Sequence, residues 1–328
     1  MNKFKKIGLS ALAGSLVATS AFAGEISVAG GASLAVEHIN GGGANGGKSF
    51  SMGNQLTFTG GGELDNGLNV SVSFILDQND DATTAAYADK TDNDGTPFDS
   101  HSVTIASESL GTLVFHGEGG SSAQTAVDGT AAGDIWDAYD DAGALTPGAS
   151  ATSNNMMVYT LPTIVDGLAI AASYVPAAST NDSSPAYSLV YTGVEGLTAT
   201  YAVGENNNTP DTSIEATTVK LSYAYGSFTG TYSNTDYDHA TATEDQDITS
   251  YAISYTVNDE LSITYGTETI EDSAAAAVED VDAERLSASY TSGGMTITAT
   301  MDQIDNIDGT TTTTEDRERW ALGASFAF

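Results

Sequence analysis

Cysteine is absent from all 328 residues, so no disulfide and no thiolate-bound metal holds this chain together. A chain of this length must rely on backbone pairing and burial instead. Basic residues are almost as scarce, with nine Lys and Arg against 44 Asp and Glu. A surface of that sign repels nucleic acid and draws cations, so no nucleic-acid partner is expected. Histidine occurs only at His38, His101, His116 and His239. No His-Glu-x-x-His motif, nucleophile elbow or phosphate loop accompanies them. An enzymatic reading would need groups that meet only in space, and His116 with Glu118 is the first place to look. Past the amino terminus, no apolar run nears the 18 or so residues of a spanning helix, which excludes helical insertion.

What the chain does contain is β-forming. It is 40% apolar with 15 Tyr and 35 Gly, too rich in aromatics for a disordered acidic chain. The amino terminus carries Lys3, Lys5 and Lys6, an apolar run from Ile7 to Ala21, and Ala21-Phe22-Ala23. That order is the pattern of a cleaved export signal over residues 1–23, leaving 24–328 as the mature chain with six basic residues.

Two kinds of connection alternate along 24–328. Tight ones are Glu63 to Gly67 (with Asn66-Gly67), Ser109 to Gly111, Val165 to Gly167, Val194 to Gly196, Gly226-Ser227, Asn258 to Glu260 and Ser292 to Gly294. Asn-Gly supplies the positive φ that a hairpin turn requires. Long polar ones lie at 40–47, 79–97, 119–153, 179–184, 206–213, 238–246, 271–281 and 306–314. Seven tight and eight long links imply sixteen strands with both chain ends on the tight-turn side. A soluble β-sandwich also alternates its side chains, but it has no reason to sort its loops by side. A transmembrane all-β, antiparallel barrel does, with short periplasmic turns and long extracellular loops.

The runs between these links have period two. Leu68, Val70, Val72, Phe74 and Leu76 alternate with Asn69, Ser71, Ser73 and Asp77; Met295, Ile297, Ala299 and Met301 alternate with Thr296, Thr298 and Thr300. Successive strand side chains face opposite ways, so one face is apolar and the other bears small hydroxyls suited to a wet interior. Tyr159, Tyr174, Tyr187, Tyr191, Tyr201, Tyr223, Tyr225, Tyr232, Tyr251, Tyr255, Tyr265 and Tyr290 fall on these runs, many near their ends, as interfacial girdles do. The last stretch, Trp320 to Phe328, places Trp320, Leu322, Ala324, Phe326 and Phe328 on one face. With no water in hydrocarbon, this strand must pair with the first, at Ile26 to Val36, to leave no open edge.

Sixteen alternating strands, a terminal Phe, and the tract Glu108-Ser109-Leu110-Gly111-Thr112-Leu113-Val114-Phe115-His116-Gly117 before the longest loop resemble the general porins of Gram-negative outer membranes. The resemblance covers the whole mature chain. It implies a homotrimer in outer-membrane lipid, a third loop folded into the barrel as a constriction, and a terminal aromatic read by the insertion machinery. Trp320, Phe326 and Phe328 would carry that assembly signal.

The candidate constriction loop, 119–153, holds Asp128, Asp134, Asp137, Asp140 and Asp141, with Glu118 just before it. The spacing Asp134, Asp137, Asp141 would put three carboxylates on one side of a short helix, with Trp136 and Tyr139 to pin it to the wall. A solvated surface loop is the plainer alternative. By strand parity, Lys220, Arg285, Arg317 and Arg319 point into the lumen, whereas Lys48 and Lys90 lie at the loop rim. Arginines facing loop carboxylates across the gap would create a transverse field, as the resemblance implies. Alternatively Arg317 and Arg319 pair with Glu315, Asp316 or Glu318 near the rim. Oxygen-only sets at Asp77, Asp80 and Asp81 or at Asp134, Asp137 and Asp141 could take calcium, though neither is an EF-hand. No other cofactor is called for. The expected function is passive diffusion of small hydrophilic solutes and ions with a preference for cations. The alternatives are a solute-selective channel of the same fold, an acidic sandwich or adhesin without a pore, and a barrel enzyme.

Overall fold

A computed structural model describes residues 25–40, 47–77, 100–142, 145–178, 181–207, 213–241, 245–272, 279–307, 309 and 316–328. The expected export signal, Asp80, Asp81, Lys90 and Glu315 lie outside the described residues, as do the side chains of Asp77, Asp140 and Asp141.

Sixteen antiparallel strands close into one barrel. They are β1 (Glu25–Asn40), β2 (Gly47–Glu63), β3 (Asn69–Asp77), β4 (Ser100–Ser107), β5 (Gly111–Glu118), β6 (Met156–Thr160), β7 (Leu168–Val175) and β8 (Ser184–Tyr191). The other eight are β9 (Leu197–Asn206), β10 (Ile214–Tyr225), β11 (Phe228–His239), β12 (Gln246–Thr256), β13 (Leu261–Asp272), β14 (Val281–Ser292), β15 (Met295–Asp305) and β16 (Arg317–Ala327). Every tight and long connection expected from the sequence falls between successive strands of this barrel. In the first turn, Gly67 takes φ 80°, and the Leu68 N–H donates to Asn66 Oδ1 at 3.2 Å. Local chemistry thus reverses the chain at that rim.

Closure joins the two ends of the sequence. β1 pairs with β16 from Gly31↔Ala327 to Asn40↔Glu318. One step further, Gly30 N–H donates to the Phe328 carbonyl (2.7 Å) and Phe328 N–H to the Gly30 carbonyl (3.0 Å). The last strand therefore pairs with the strand expected, over Gly30 to Val36 and onward to Asn40, and the barrel closes without an open edge in lipid.

The outer face is apolar, with Leu34, Val219, Leu221, Ile253, Leu286 and Leu322 all exposed. Twelve of the tyrosines face outward, and all twelve sit on β6 to β14. Tyr139 and Tyr237 are buried inside. The outer faces of β1–β5, β15 and β16 carry no tyrosine among the described residues. Small residues, Gly30, Ala32 and Gly60, share the outer face of β1 and β2 with Val28 and Leu34.

Candidate pore constriction

The long segment between β5 and β6, L3, turns into the barrel. Its stem is closed by a two-residue ladder, Gly120–Ser121 against Thr152–Ser153. From there L3 runs along the inner wall, and β7 and β10–β13 each meet its backbone or side chains with a polar group. Ala123 N–H donates to Ser173 Oγ of β7 (2.9 Å), Ala131 N–H to Ser233 Oγ of β11 (2.8 Å), and Ala132 N–H to Ser250 Oγ of β12 (2.9 Å). Gln124 Nε2 donates to Thr218 Oγ1 of β10 (2.9 Å). On β13, Glu268 accepts from Thr130 Oγ1 (2.7 Å), Trp136 N–H (3.2 Å) and Ile135 N–H (3.4 Å). Hydroxyls that look like pore wetting in the sequence therefore satisfy a buried loop's backbone, as buried N–H groups require.

Apolar contact completes the docking. A short 3-10 helix, Trp136–Ala142, lays the fully buried Ile135 and Tyr139 beside it against Ile248, Ile270, Val281, Ile304 and Ile39 of the inner wall. Burial of such side chains contributes roughly 1.5–3 kcal/mol each. Two wall glycines let the loop come close. A Cβ on Gly266 would lie 2.7 Å from that of Ala132, and one on Gly204 2.8 Å from that of Ser150.

The sequence-predicted residues fall into three groups. Tyr139 pins the loop as expected, but Ile135 does so equally, and only the isolated isoleucines on an otherwise polar face could have signalled it. Asp134 is not on the helix. It sits before it at φ 48°, its Oδ1 accepting from Thr130 N–H (2.9 Å) while its own N–H donates to Thr130 Oγ1 (2.7 Å). The one-sided carboxylate row of Asp134, Asp137 and Asp141 is thus replaced by a capped turn and a 3-10 helix, in which only Asp137 is described as an exposed acid.

Glu118 departs from its expected position. The β4–β5 register shifts between His101 and Ser102, so that His116 opposes Ser102 but Glu118 opposes His101. One extra residue in a strand turns the residues beyond it to the other face. Glu118 Oε2 stands 4.0 Å from His101 Nδ1, on the outer side with Phe74, so the lumen pair of His116 and Glu118 does not form. Calcium gains no support either, since no three His, Asp or Glu converge on a metal position among the described residues.

The wall bases do point inward, but toward L3 and toward one another. Lys220 Nζ donates to the Gly129 carbonyl. Arg285 donates from Nη1 to the Gly133 carbonyl (2.8 Å) and from Nε to Asp302 Oδ1 (2.9 Å). Arg319 donates to Asp302 Oδ2 (2.8 Å) and Glu37 Oε2 (2.8 Å). Arg317 is only 3% exposed. Arg319 thus takes its acids from β15 and β1, not from the rim residues next to it in sequence. Four neighbouring strands carry a ladder of alternating charge, Arg285, Asp302, Arg319 and Glu37.

Among the described groups of L3, Asp128 is the one placed to respond near neutral pH. Burial pushes its carboxyl up to about 6, and the nearby Asp134 adds to this, while Gln124 and Lys220 oppose it. A raised folded-state value means the carboxylate is charged above about pH 6 and neutral below it, and the fold is favoured most when it is protonated. As pH falls through that value L3 loses one negative charge, so ion selectivity is expected to shift toward anions. Asp128→Asn should abolish the step, which reversal potentials at pH 7 and pH 5 would reveal; an identical step in the variant would assign it elsewhere.

A family model described as Gram-negative porin matches residues 8–283. Among solved structures, the anion-selective porin from Comamonas acidovorans superposes with a TM-score of 0.66 at 14% identity, covering 93% of this chain and all of that one. A porin refined at 1.8 Å resolution gives 0.64 at 17% identity, and a multiply substituted Rh. blastica porin gives 0.67 at 13%, both with the same coverage. At such identities the likeness is one of fold. No curated protein sequence matches the chain.

Proposed function

Because the chain belongs to the Gram-negative porins, we propose that its barrel is a passive outer-membrane pore that favours cations over anions. The family and the closed barrel make it an integral outer-membrane protein and a diffusion channel. The sign of its selectivity is the finer reading, and the state of the basic residues supports it. Lys220 is spent on a loop carbonyl, Arg285 and Arg319 share Asp302 and Glu37, and Arg317 is buried. The positive charge of Arg285 and Arg319 is therefore offset in place by Asp302 and Glu37, while the 44 acids of the sequence outnumber its bases and draw counter-cations. The Comamonas porin is anion-selective, and at that identity charge placement, not fold, decides the sign. Reversal potentials in a salt gradient test the proposal. Cation preference is expected at low salt and should shrink as the Debye length shortens; anion preference at low salt would overturn it.

Trimeric assembly is the family's habit, and the tyrosine distribution suits it. The sector without tyrosine among the described residues, β1–β5 with β15 and β16, is the face we propose a second copy covers, its exposed Phe50, Phe74, Phe115 and Trp320 lying in that contact. Its small residues allow close approach. Residues 1–23 are proposed as a removed signal, and Phe328 as the residue offered to the insertion machinery. No cofactor or chemical step is proposed. An enzymatic reading loses its first candidate with the separation of His116 from Glu118.

A further inference from the structure

Every pair of neighbouring strands but one is consecutive in sequence, and the exception is the seam where β16 meets β1. Elsewhere a connection limits the register; at the seam none does. A one-residue slip there would turn the apolar face of a strand inward, which the alternation forbids. A two-residue slip keeps every face. It changes the stagger of the barrel, however, and stagger and strand number together fix strand tilt and bore.

We propose that two pairs of side chains fix the closing register, Glu37 with Arg319 inside the barrel and His38 with Trp320 outside, and so set the width of the pore. Each pair blocks one direction of slip. In the observed register Ser33 faces Ser325 and Glu37 faces Ala321, so Arg319 reaches Glu37 on the diagonal, Nε to Oε2 at 2.8 Å. A slip that brings Ser33 opposite Ala327 would carry Arg319 from two residues past Glu37 to four, about 13 Å along the strand and out of reach. Glu37 would keep only Ser49 Oγ, at 2.9 Å, of these partners. The opposite slip, Ser33 to Gly323, sets Glu37 directly against Arg319, so charge does not resist it. The outer pair does. The Trp320 ring lies 6.2 Å from that of His38, which is held in turn by Nδ1–H donating to the Gly47 carbonyl (2.7 Å). This slip would leave Trp320 opposite Val36 instead. Either slip also moves Phe328 off Gly30, where a Cβ would stand 2.3 Å from the ring, and onto the side chain of Ala32 or Val28.

The chain has no cysteine, so introduced pairs report the register directly. Gly30 and Phe328 exchange both backbone bonds, which makes Ser33 and Ser325 a non-hydrogen-bonded pair, at the close spacing a disulfide accepts. Oxidised in the inserted barrel, Ser33→Cys with Ser325→Cys should link, and Ser33→Cys with Ala327→Cys or with Gly323→Cys should not. Glu37→Ala should raise the linkage to position 327 about tenfold, the weight of one charge-assisted hydrogen bond, and leave that to position 323 alone. His38→Ala should do the reverse, by about fivefold. Should Glu37→Ala give too little barrel, Arg319→Gln removes the same pair and should release the same slip. Linkage unchanged by these variants, or both slips released together, would overturn the proposal. The effect on pore width rests on the diffusion-channel reading. Barrels locked in the two slipped registers should conduct one more and one less than the natively locked barrel, and equal conductances would overturn it. A natively locked barrel that passes no current would instead remove the channel reading, with the register result left standing.

Discussion

Alanine at Asp302 is expected to destabilise the barrel by about 3–5 kcal/mol, the usual cost of removing one partner from a buried charge cluster. The Asp302 side chain is wholly buried and lies between two guanidinium groups, accepting from Arg285 Nε (2.9 Å) and Nη2 (3.2 Å) and from Arg319 Nη1 (2.8 Å). Without it, Arg319 keeps only Glu37 among these partners, and Arg285 keeps only the Gly133 carbonyl. One carboxylate would then face two cations, and the lumen gains a net positive charge. Two readouts should move together: the denaturant midpoint for unfolding falls, and the reversal potential shifts toward anions. Asp302→Asn, which keeps an acceptor oxygen but loses the charge, should show the same selectivity shift with a smaller loss of stability. If Asp302→Ala left both quantities at their original values, the alternating ladder would have no energetic meaning.

The range of each interaction decides how much of it is legible in the sequence. Strand number, the two kinds of connection and the inward parity of Lys220, Arg285, Arg317 and Arg319 depend on period-two alternation and local turn chemistry, which a single sequence displays. The docking of L3 depends on registers between residues far apart in the chain, which it does not. Ser233 and Ser250 have the same composition whether they face water or the N–H groups of Ala131 and Ala132. Ile248, Ile270 and Ile304, apolar on a polar face close to the long loops, were the available hint that the inner wall there is covered. Glu118 misled because a parity count assumes an unbroken strand, and the register shift at His101 and Ser102 adds one residue. The glycines at 117, 119 and 120 beside it were the local warning, since glycine inside a strand pattern often marks a bulge. Pairing of Arg319 with Glu37, 282 positions away, exists only because the barrel closes.

Glu268 offers the other large effect, and it separates the loop from the wall. Its carboxylate belongs to a residue 1% exposed and accepts from three L3 donors, the Thr130 hydroxyl and the N–H groups of Ile135 and Trp136. The two N–H groups open a helical turn and have no partner within it, so a side chain must supply one. Glu268→Ala would leave three buried donors unsatisfied at about 1–3 kcal/mol each. Displacing L3 from the wall into water is then the cheaper state for the loop. Because the strand ladders of β12, β13 and β14 do not run through this contact, the barrel should still insert and resist denaturant nearly as before, unlike Asp302→Ala. What should change is the current: single channels with a loop no longer held in place should show greater open-state noise and altered unitary conductance. Glu268→Gln should fall between, since its amide presents one acceptor oxygen but also an N–H₂ group to an all-donor neighbourhood. Quiet channels of unaltered conductance in Glu268→Ala would mean that the hydroxyls of Ser173, Thr218, Ser233 and Ser250, with Ile135 and Tyr139, suffice to hold the constriction.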